Sequence, residues 1–253
     1  MTRRSEIDDL LAAVAAGDVA PSDAAARLAS LPFLELGFAT VDTHRELRQG
    51  APEAILAEGK TTEQVVAIAG ALDAAGASSV LVTRASAEVR AAVREAIPAA
   101  EEHELARAVW VRRVLPEPRG LVAIVSGGTS DGSVVHEARI RAELLGVTVV
   151  VHEDVGAAGI HRLGSALPDI MRADCVVVVA GMDAALATVV GGLAPCPVVG
   201  VPTSVGYGSA HGGRTALNAM LSSCVDGLAV VGIDDGLGAG TVSARIARGR
   251  GAS

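Results

Sequence analysis

The second half of this 253-residue chain repeats one pattern five times, and this repeat restricts the possible folds more than any other feature. Each repeat starts with a short apolar run rich in β-branched residues, passes through a glycine or polar turn, and ends in an alanine-rich helical stretch. The runs are residues 121–125, 147–151, 175–179, 198–201 and 228–231. Strands that are apolar on both faces and alternate with helices predict a doubly wound α/β domain, with a parallel sheet between two helical layers.

The distribution of glycine divides the chain into two domains. Residues 1–119 hold 6 of the 29 glycines, and residues 120–253 hold the other 23. The stretch 115–120 contains two prolines and is typical of a linker. We therefore predict an N-terminal domain over residues 1–119 and the doubly wound domain over residues 120–253.

The N-terminal domain has mixed patterns and is predicted to be a smaller α/β appendage. Its expected elements are a helix over 6–16 that ends at Gly17, a short helix capped by Ser22, an extended stretch over 36–41, a helix over 62–75, a strand over 79–83 and a helix that begins at Ser86. Periodicity alone does not assign a topology to these elements.

Composition excludes several classes of function. A net charge of -8 argues against nonspecific binding to nucleic acid or anionic lipid, and 2% aromatic residues argue against a base-stacking platform. The apolar runs fall far short of the roughly 20 residues that span a bilayer. Asp8 and Asp9 interrupt the position of a signal peptide's apolar segment. Three cysteines in a chain of this length do not form a disulfide framework, so we expect a reducing, cytoplasmic compartment. The net charge and the short apolar runs lead us to expect no nucleic-acid or membrane partner.

The turns after the five strands are the expected ligand site. They cover residues 126–131, 152–156, 180–183, 202–213 and 234–240, and Gly, Ser, Thr and acidic residues dominate them. Ligands of open α/β sheets bind beyond the carboxyl ends of the strands. Glycine allows backbone amides to approach a ligand, and helix N-termini favour anions, so a phosphate-bearing small molecule is predicted. Such residues are also common in βα turns that bind nothing.

Two glycine stretches come close to nucleotide-binding motifs but do not match them. Residues 54–61 end in Gly-Lys-Thr, yet Ala54 stands where the phosphate loop requires its first glycine. Residues 236–240 read Gly-Leu-Gly-Ala-Gly, which differs from the dinucleotide motif. Neither stretch is predicted to bind a nucleotide.

The cysteines and two arginines leave alternatives open. Cys175 and Cys196 are expected to be packing residues, since free cysteine behaves as a small hydrophobic residue. Cys224 follows a predicted helix, and a helix C-terminus disfavours a thiolate, so its residue context alone does not favour a nucleophile. Arg45 and Arg48 would share a helix face, where they could neutralise a pyrophosphate or act as ordinary surface charge.

A set of motifs in fixed order closely resembles the LarB family, which acts in nickel-pincer nucleotide synthesis. The motifs are Arg45-Glu-Leu-Arg-Gln-Gly-Ala-Pro-Glu53, Glu58-Gly-Lys-Thr61, Gly128-Thr-Ser-Asp131, Gly181-Met182, Val201-Pro-Thr-Ser-Val-Gly-Tyr-Gly208 and Ser223-Cys224. The resemblance runs from about Val41 to Gly240. The second half also resembles the aminoimidazole ribonucleotide carboxylases of purine synthesis (PurE-like), which share the Gly-Thr-Ser-Asp motif and have a flavodoxin-like three-layer sandwich.

The resemblance implies two reactions on one substrate, nicotinic acid adenine dinucleotide. Carbon dioxide or bicarbonate supplies a carboxylate to the pyridinium ring, and the phosphoanhydride is hydrolysed. The products are pyridinium-3,5-biscarboxylate mononucleotide and AMP. A divalent cation, Mg²⁺, is expected for the hydrolysis, and homo-oligomers, octamers as in the purine enzymes, are expected as the assembly.

The resemblance implies that Cys224 is a covalent nucleophile, and Asp183 stands where the family usually has glutamate. Asp131, Asp154 and Asp183 are acidic residues at strand ends and are candidates for metal binding or water activation, with Asp131 and Asp183 expected to take part in catalysis and Asp154 expected to bind the metal. Substrate-binding residues are expected to be Ser126, Gly128, Thr129, Ser130, Gly181, Met182, Thr203, Ser204, Gly206, Tyr207, Gly208, Arg45 and Arg48.

Two other functions fit part of the sequence. A purine-pathway carboxylase or mutase would share the Gly-Thr-Ser-Asp motif but would need neither Cys224 nor the first 119 residues. A noncatalytic nucleotide-binding module would keep the glycine-rich turns and tolerate loss of Cys224. Turnover of aminoimidazole ribonucleotide would favour the former, and dinucleotide binding without turnover would favour the latter.

Overall fold

The structure is a computed structural model, which describes residues 3–30 and 33–250. The chain divides into two compact units, Met1–Leu115 and Pro116–Ser253. This division lies inside the proline-containing stretch that was predicted to be the linker. No helix within the described ranges combines the length and apolarity needed to cross a bilayer.

The first unit is a mixed α/β structure. Its helices are α1 (Arg3–Ala16), α2 (Pro21–Ser30), α3 (Arg45–Gln49), α4 (Thr62–Ala74) and α5 (Ala87–Ala96). Its strands are β1 (Phe33–Glu35), β2 (Thr40–Asp42), β3 (Ala54–Leu56), β4 (Ser79–Thr83), β5 (Glu101–His103) and β6 (Ala108–Arg112). Strands β1 and β2 pair as an antiparallel hairpin, whereas the other four form a sheet in the order β3-β4-β6-β5.

Local sequence signals explain where α4 and α5 begin. The Thr61 hydroxyl accepts a hydrogen bond from the Gln64 amide, and the Gln64 side chain accepts one from the Thr61 amide, which is a capping box. The Ser86 hydroxyl accepts from the Val89 amide at the start of α5. The helix predicted over 62–75, the helix predicted to begin at Ser86 and the strand predicted over 79–83 are therefore confirmed as α4, α5 and β4.

Two predictions for the first unit were wrong: Ser22, the expected helix cap, lies inside α2, and the stretch 36–41 is not a strand. The stretch 36–41 was expected to be extended, but the Leu36 amide donates to the Ala39 carbonyl at 2.8 Å, which closes a turn between β1 and β2. Only Thr40 and Val41 of this stretch belong to β2. A five-residue strand, β6, was not predicted. A short apolar run becomes a strand only when a partner such as β4 pairs with it, and that pairing joins distant residues.

The second unit confirms the doubly wound fold. Its strands are β7 (Leu121–Ser126), β8 (Thr148–His152), β9 (Cys175–Ala180), β10 (Val198–Pro202) and β11 (Leu228–Val230). Its helices are α6 (Gly132–Leu144), α7 (Leu167–Arg172), α8 (Ala185–Gly191), α9 (Arg214–Leu221) and α10 (Gly236–Arg250). All strand pairs are parallel, in the flavodoxin-like order β11-β10-β9-β7-β8.

Helices cover both faces of this sheet. Helices α7, α8 and α9 enclose one core, which includes Val176, Val178, Leu186 and Met220. Helices α6 and α10 pack together on the other face. A Cβ atom at Gly236 would lie 2.5 Å from the Val134 carbonyl oxygen, so this glycine lets α10 approach α6 closely. Part of the Gly-Leu-Gly-Ala-Gly stretch therefore serves helix packing.

Candidate active site

A cavity of about 520 Å³ opens where the strand order reverses between β7 and β9. This volume is in the range of small-molecule sites, and the switch point is where open α/β sheets bind ligands. The turns after β7, β8, β9 and β10 all contribute to its wall. Residues of the wall include Gly127, Gly128, Gly156, Gly181, Met182 and Val205. Four of the five turns predicted to share a site thus meet at one cavity, and the turn over 234–240 is not in its wall.

Two glycines allow the turns of this wall to touch. A Cβ atom at Gly181 would lie 2.2 Å from the Val205 carbonyl oxygen, and one at Gly156 would lie 2.4 Å from the Gly127 carbonyl oxygen. Both distances are shorter than real side chains allow. The Met182 amide also donates to the Val205 carbonyl at 3.1 Å. Glycine at these two positions therefore brings neighbouring turns into direct backbone contact.

Four of the six left-handed non-glycine residues in the described part of the chain lie at the same sheet edge, and the other two, Arg84 and Arg107, lie in the first unit. Asp154, Met182, Ala184 and Asp234 have φ angles of 57°, 55°, 52° and 58°, in the left-handed region that favours glycine. Each lies in a turn that follows β8, β9 or β11. Left-handed non-glycine residues persist where the surrounding structure enforces them, which is frequent at functional sites.

Asp131 is a buried carboxylate in the cavity wall, with an exposed fraction of 3%. Its Oδ1 accepts a hydrogen bond from the Thr203 hydroxyl at 2.7 Å, and its Oδ2 accepts one from the Gly128 amide at 3.0 Å. Burial is the main cause that raises the pKa of Asp131, and the charge of Asp234 adds to it, while the two hydrogen bonds oppose it. Both oxygens have partners, so Asp131 fixes the turn around Gly128.

Asp183 presents the more accessible carboxylate of the cavity. It is exposed, it lines the cavity, and its Oδ1 accepts a hydrogen bond from the Ala185 amide at 3.2 Å. This bond directs the carboxylate toward the start of α8. Of the two predicted catalytic aspartates, Asp183 is therefore the better placed to exchange a proton with a ligand.

Arg162 is a cavity residue that the sequence reasoning missed. It lies in the 3-10 segment Ala157–Ser165 after β8, and its guanidinium donates to the carboxylate of Asp154. Asp154 was predicted to bind a metal, but in the structure it forms an ion pair with this arginine. Arg162 is also the cationic side chain among the lining residues of the cavity.

The described residues offer no protein cage for a metal. Among residues 3–30 and 33–250, no group of three or more His, Cys, Asp or Glu side chains is arranged to hold an ion. Asp131 uses both oxygens for hydrogen bonds and Asp154 pairs with Arg162. Mg²⁺ commonly uses one or two carboxylates together with substrate phosphates, and Asp183 is the carboxylate that remains for such a role.

Some of the predicted substrate-binding residues of the second unit line the cavity, and others lie behind the lining residues. Gly128, Ser130, Gly181 and Met182 line the cavity, and exposed Thr129 stands beside them. Ser126 is fully buried, and its hydroxyl lies 3.4 Å from both the Gly128 carbonyl oxygen and the Asp154 amide nitrogen. It therefore links two turns from behind the wall.

The turn after β10 contributes Val205 to the cavity wall, and its predicted substrate-binding residues are not among the lining residues. Thr203 is buried behind Asp131, and the Ser204 amide donates to Asp234 Oδ1 at 2.8 Å. Gly206 makes a close approach, because a Cβ atom there would lie 2.7 Å from the Ala210 carbonyl oxygen. Tyr207 is 77% exposed, and Gly208 next to it has a φ of 58°. Tyr207 is therefore free of the core and available to a ligand or another protein surface.

The three cysteines occupy different environments. Cys175 and Cys196 are buried, and burial raises the pKa of Cys175 to about 12 and also raises that of Cys196. Cys224 is exposed and lies between α9 and β11. It therefore stands at the amino edge of the parallel sheet, whereas the cavity is at the carboxyl edge. The structure does not place Cys224 in the cavity wall.

Arg45 and Arg48 belong to α3 of the first unit. The Arg48 guanidinium donates to both carboxylate oxygens of Asp42, at 2.5 and 3.3 Å. The Asp42 carboxylate also accepts from the His44 amide at 3.1 Å. Arg48 therefore holds the turn before α3, while a role of either arginine in substrate binding stays a prediction.

Both units match known protein families. Residues 33–113 match the LarB/PurE-like N-terminal domain, and residues 121–251 match AIR carboxylase. The chain is 33% identical over 225 residues to Uncharacterized protein MJ0165 of Methanocaldococcus jannaschii, which covers 82% of this chain and 83% of that protein.

Two solved structures are also similar to part of the chain. A point variant of Treponema denticola PurE2 has a TM-score of 0.42 and covers 52% of this chain, and Treponema denticola PurE has a TM-score of 0.40 and covers 51%. Each is 21% identical to the chain and is itself covered over 80% of its length.

Proposed function

This chain belongs to the LarB family, with a PurE-like second domain, and we propose that it carboxylates the pyridinium ring of nicotinic acid adenine dinucleotide and hydrolyses its phosphoanhydride. The AIR carboxylase domain indicates an enzyme of the carboxylase or mutase type. The proposed products are pyridinium-3,5-biscarboxylate mononucleotide and AMP, which would be the first step of nickel-pincer nucleotide synthesis.

The observation that carries the proposal is the exposure of Cys224. Of the three cysteines, all of them in the described ranges, it alone is exposed, and it is the cysteine of the family motif. Thiolates rather than thiols are nucleophiles, and the burial that raises the pKa of Cys175 to about 12 disfavours its thiolate.

A thiolate solves the chemical problem of this carboxylation. The pyridinium ring is electron-poor and does not attack carbon dioxide. Addition of the Cys224 thiolate to a ring carbon forms a C–S bond and converts the ring into a neutral enamine. Its β-carbon, meta to the existing carboxylate, then attacks carbon dioxide and forms the new C–C bond. A base then removes the proton from the carboxylated ring carbon. Cleavage of the C–S bond expels the thiolate, and this step restores the aromatic pyridinium ring.

The cavity residues provide the remaining functions. Arg162 and the backbone of the glycine turns would bind the phosphates, and Asp183 would accept the ring proton. Asp183 is one methylene shorter than the glutamate usual in the family. A divalent cation carried by the substrate's phosphates would meet Asp183 at the cavity rim. We place the enzyme in the cytoplasm as a homo-oligomer, an octamer by analogy with the purine enzymes.

A second candidate is carboxylation of aminoimidazole ribonucleotide. The match of residues 121–251 to AIR carboxylase favours it. That reaction would use the same cavity but not Cys224, since the substrate already carries an electron-rich carbon. The role of the exposed thiol therefore separates the two candidates.

Incubation with nicotinic acid adenine dinucleotide, bicarbonate and Mg²⁺, followed by mass spectrometry, tests the proposal. We expect AMP and a mononucleotide heavier by one carboxylate. A parallel incubation with aminoimidazole ribonucleotide should show no turnover. Folded protein that forms neither product with several divalent cations would refute the proposed function, and turnover of the ribonucleotide would favour the second candidate.

A further inference from the structure

Helix α8 connects the cavity with the loop that carries Cys224. Its first turn, at Ala185 and Leu186, lines the cavity. One turn further along, the Thr188 hydroxyl lies 2.9 Å from the Ser223 hydroxyl in a half-buried hydrogen bond. A helix rises about 1.5 Å per residue, so Thr188 is only about 4.5 Å along the axis from Ala185. The residue before Cys224 is thus attached close to the cavity.

The residue after Cys224 is attached to the same helix. A Cβ atom at Gly191 would lie 2.7 Å from Val225 Cγ2, so Val225 packs directly against the last residue of α8. Cys224 lies between these two anchored neighbours and is itself exposed. With its neighbours held on α8, the backbone of Cys224 has little freedom to move relative to this helix.

The cavity end of α8 is also held in place. The Asp183 carboxylate accepts from the Ala185 amide, and Ala184 has a left-handed φ of 52° at the N-cap. This helix of seven residues therefore carries the proposed proton acceptor at one end and the loop of the proposed nucleophile along its side. Its rigidity sets the distance between the two groups.

We propose that Thr188 is a positioning residue for the Cys224 thiol. Its hydroxyl, acting through Ser223, holds the loop that carries the thiol against α8, the helix whose first turn lines the cavity. Threonine suits this position because its hydroxyl, like that of serine, can share a hydrogen bond with the Ser223 hydroxyl. The inference rests on the proposed carboxylation, and Thr188 itself does not touch the reacting atoms.

Variants of the two hydroxyls test this proposal. Thr188→Val keeps shape but removes the hydrogen bond, and we expect the kcat of carboxylation to fall about 10- to 100-fold, since small displacements of reacting groups have effects of this size. The KM for the dinucleotide should stay within about twofold, because the phosphates bind elsewhere. Thr188→Ser should restore the rate, and Ser223→Ala should reproduce the loss. The double variant should be no slower than either single variant, since all three remove one shared bond.

A matched control and a second readout keep the outcome unambiguous. Thr241→Val on α10 removes a half-buried hydroxyl whose hydrogen bonds to Leu237 and Arg141 lie on the other face of the sheet, and it should leave kcat unchanged. The alkylation rate of Cys224 by iodoacetamide reports loop position without turnover, and it should change at least threefold in Thr188→Val.

The possible results separate the two proposals. If Thr188→Val matches the wild-type kcat and alkylation rate, or if Thr188→Ser is equally impaired, the positioning role is overturned. If the wild-type protein does not carboxylate but the alkylation rate still depends on Thr188, the hydroxyl positions the loop and the proposed function fails. If Thr188→Val does not fold, the same measurements on Ser223→Ala test the positioning role, because this variant removes the other hydroxyl of the same hydrogen bond.

Discussion

The two units begin their helices in different ways. In the first unit, α4 and α5 follow β3 and β4 and are capped by the Thr61 and Ser86 hydroxyls, so their amides find partners within the chain. In the second unit, the N-cap residues of α6, α8 and α9 make no side-chain hydrogen bond, although Asp183 accepts from the first amide of α8 and Asp235 accepts from the Gly238 amide in α10. The left-handed residues Met182 and Ala184 and the cavity lie at this second edge. The first edge therefore carries helices capped by hydroxyls, whereas the amides at the start of α6 and α9 at the second edge have no such cap.

The largest effect expected from this difference concerns the exposed thiol of the second unit. Cys224→Ser should abolish carboxylation, because an alcohol has far too high a pKa to add to the ring, while dinucleotide binding at the cavity remains. Product formation by mass spectrometry and binding by calorimetry would measure this. Cys175→Ser, which buries a polar group, should instead lower stability. Normal carboxylation by Cys224→Ser would contradict the covalent mechanism.

The second largest effect on turnover is expected at Gly181, where two turns of the cavity wall are in direct backbone contact. Gly181→Ala would place a Cβ atom 2.2 Å from the Val205 carbonyl oxygen, so we expect turnover to fall at least a hundredfold and stability to drop by about 1–3 kcal/mol. Gly59→Ala in the first unit has open space around it and strains only a φ of 80°. It should cost about 1 kcal/mol and leave turnover intact. If Gly181→Ala and Gly59→Ala changed turnover equally, the conclusion that the active site lies at the sheet edge of the second unit would be contradicted.

Arg162 should matter for binding rather than for the covalent step. Replacing it by glutamine removes the cavity's arginine charge, and we expect the KM for the dinucleotide to rise about tenfold, equal to about 1.4 kcal/mol. Steady-state kinetics at varied salt would show this, with a weaker salt dependence in the variant. The reference variant is Arg113→Gln, whose exposed ion pair with Asp73 belongs to the first unit. An unchanged KM in Arg162→Gln would exclude Arg162 from phosphate binding.

The pH dependence of the free energy of unfolding should reflect the raised pKa of Asp131. The Thr203 hydroxyl stabilises the ionised carboxylate, so Thr203→Val should raise the pKa of Asp131 further above its ordinary value of 3.8. The folded protein then holds this proton longer than the unfolded chain. The free energy of unfolding should therefore fall as the pH rises from about 3.8 through the folded pKa, and in the variant this fall should extend to higher pH. Denaturation at a series of pH values measures it, and overlapping curves would contradict the coupling.

The smallest effect is expected at the capped edge. Ser86→Ala removes the cap of α5 and should reduce stability by about 1 kcal/mol without changing turnover. Urea denaturation and steady-state kinetics of the same preparation test both parts. A marked loss of turnover in this variant would show that the first unit's sheet edge takes part in the reaction.

Prediction from sequence worked best where a short segment carries its own signal. The five strands of the second unit were located to within a residue or two, because a run that is apolar on both faces can only be a buried strand in this context. The caps at Thr61 and Ser86 are equally local. The stretch 36–41 failed because its apolar residues form a hairpin turn that depends on the pairing of β1 with β2. Strand β6 was missed for a similar reason, since β4 lies far from it in sequence.

Periodicity and motifs of adjacent residues are enough to predict the doubly wound architecture and the family, because both are encoded within short stretches of chain. Three contacts become visible only in the folded molecule. Arg162 neutralises Asp154 in the cavity, Thr203 donates to buried Asp131, and α8 holds the Cys224 loop through Thr188. These contacts join residues up to 72 positions apart. Side-chain chemistry makes each of them possible, but the crossing of the strands determines which partners meet.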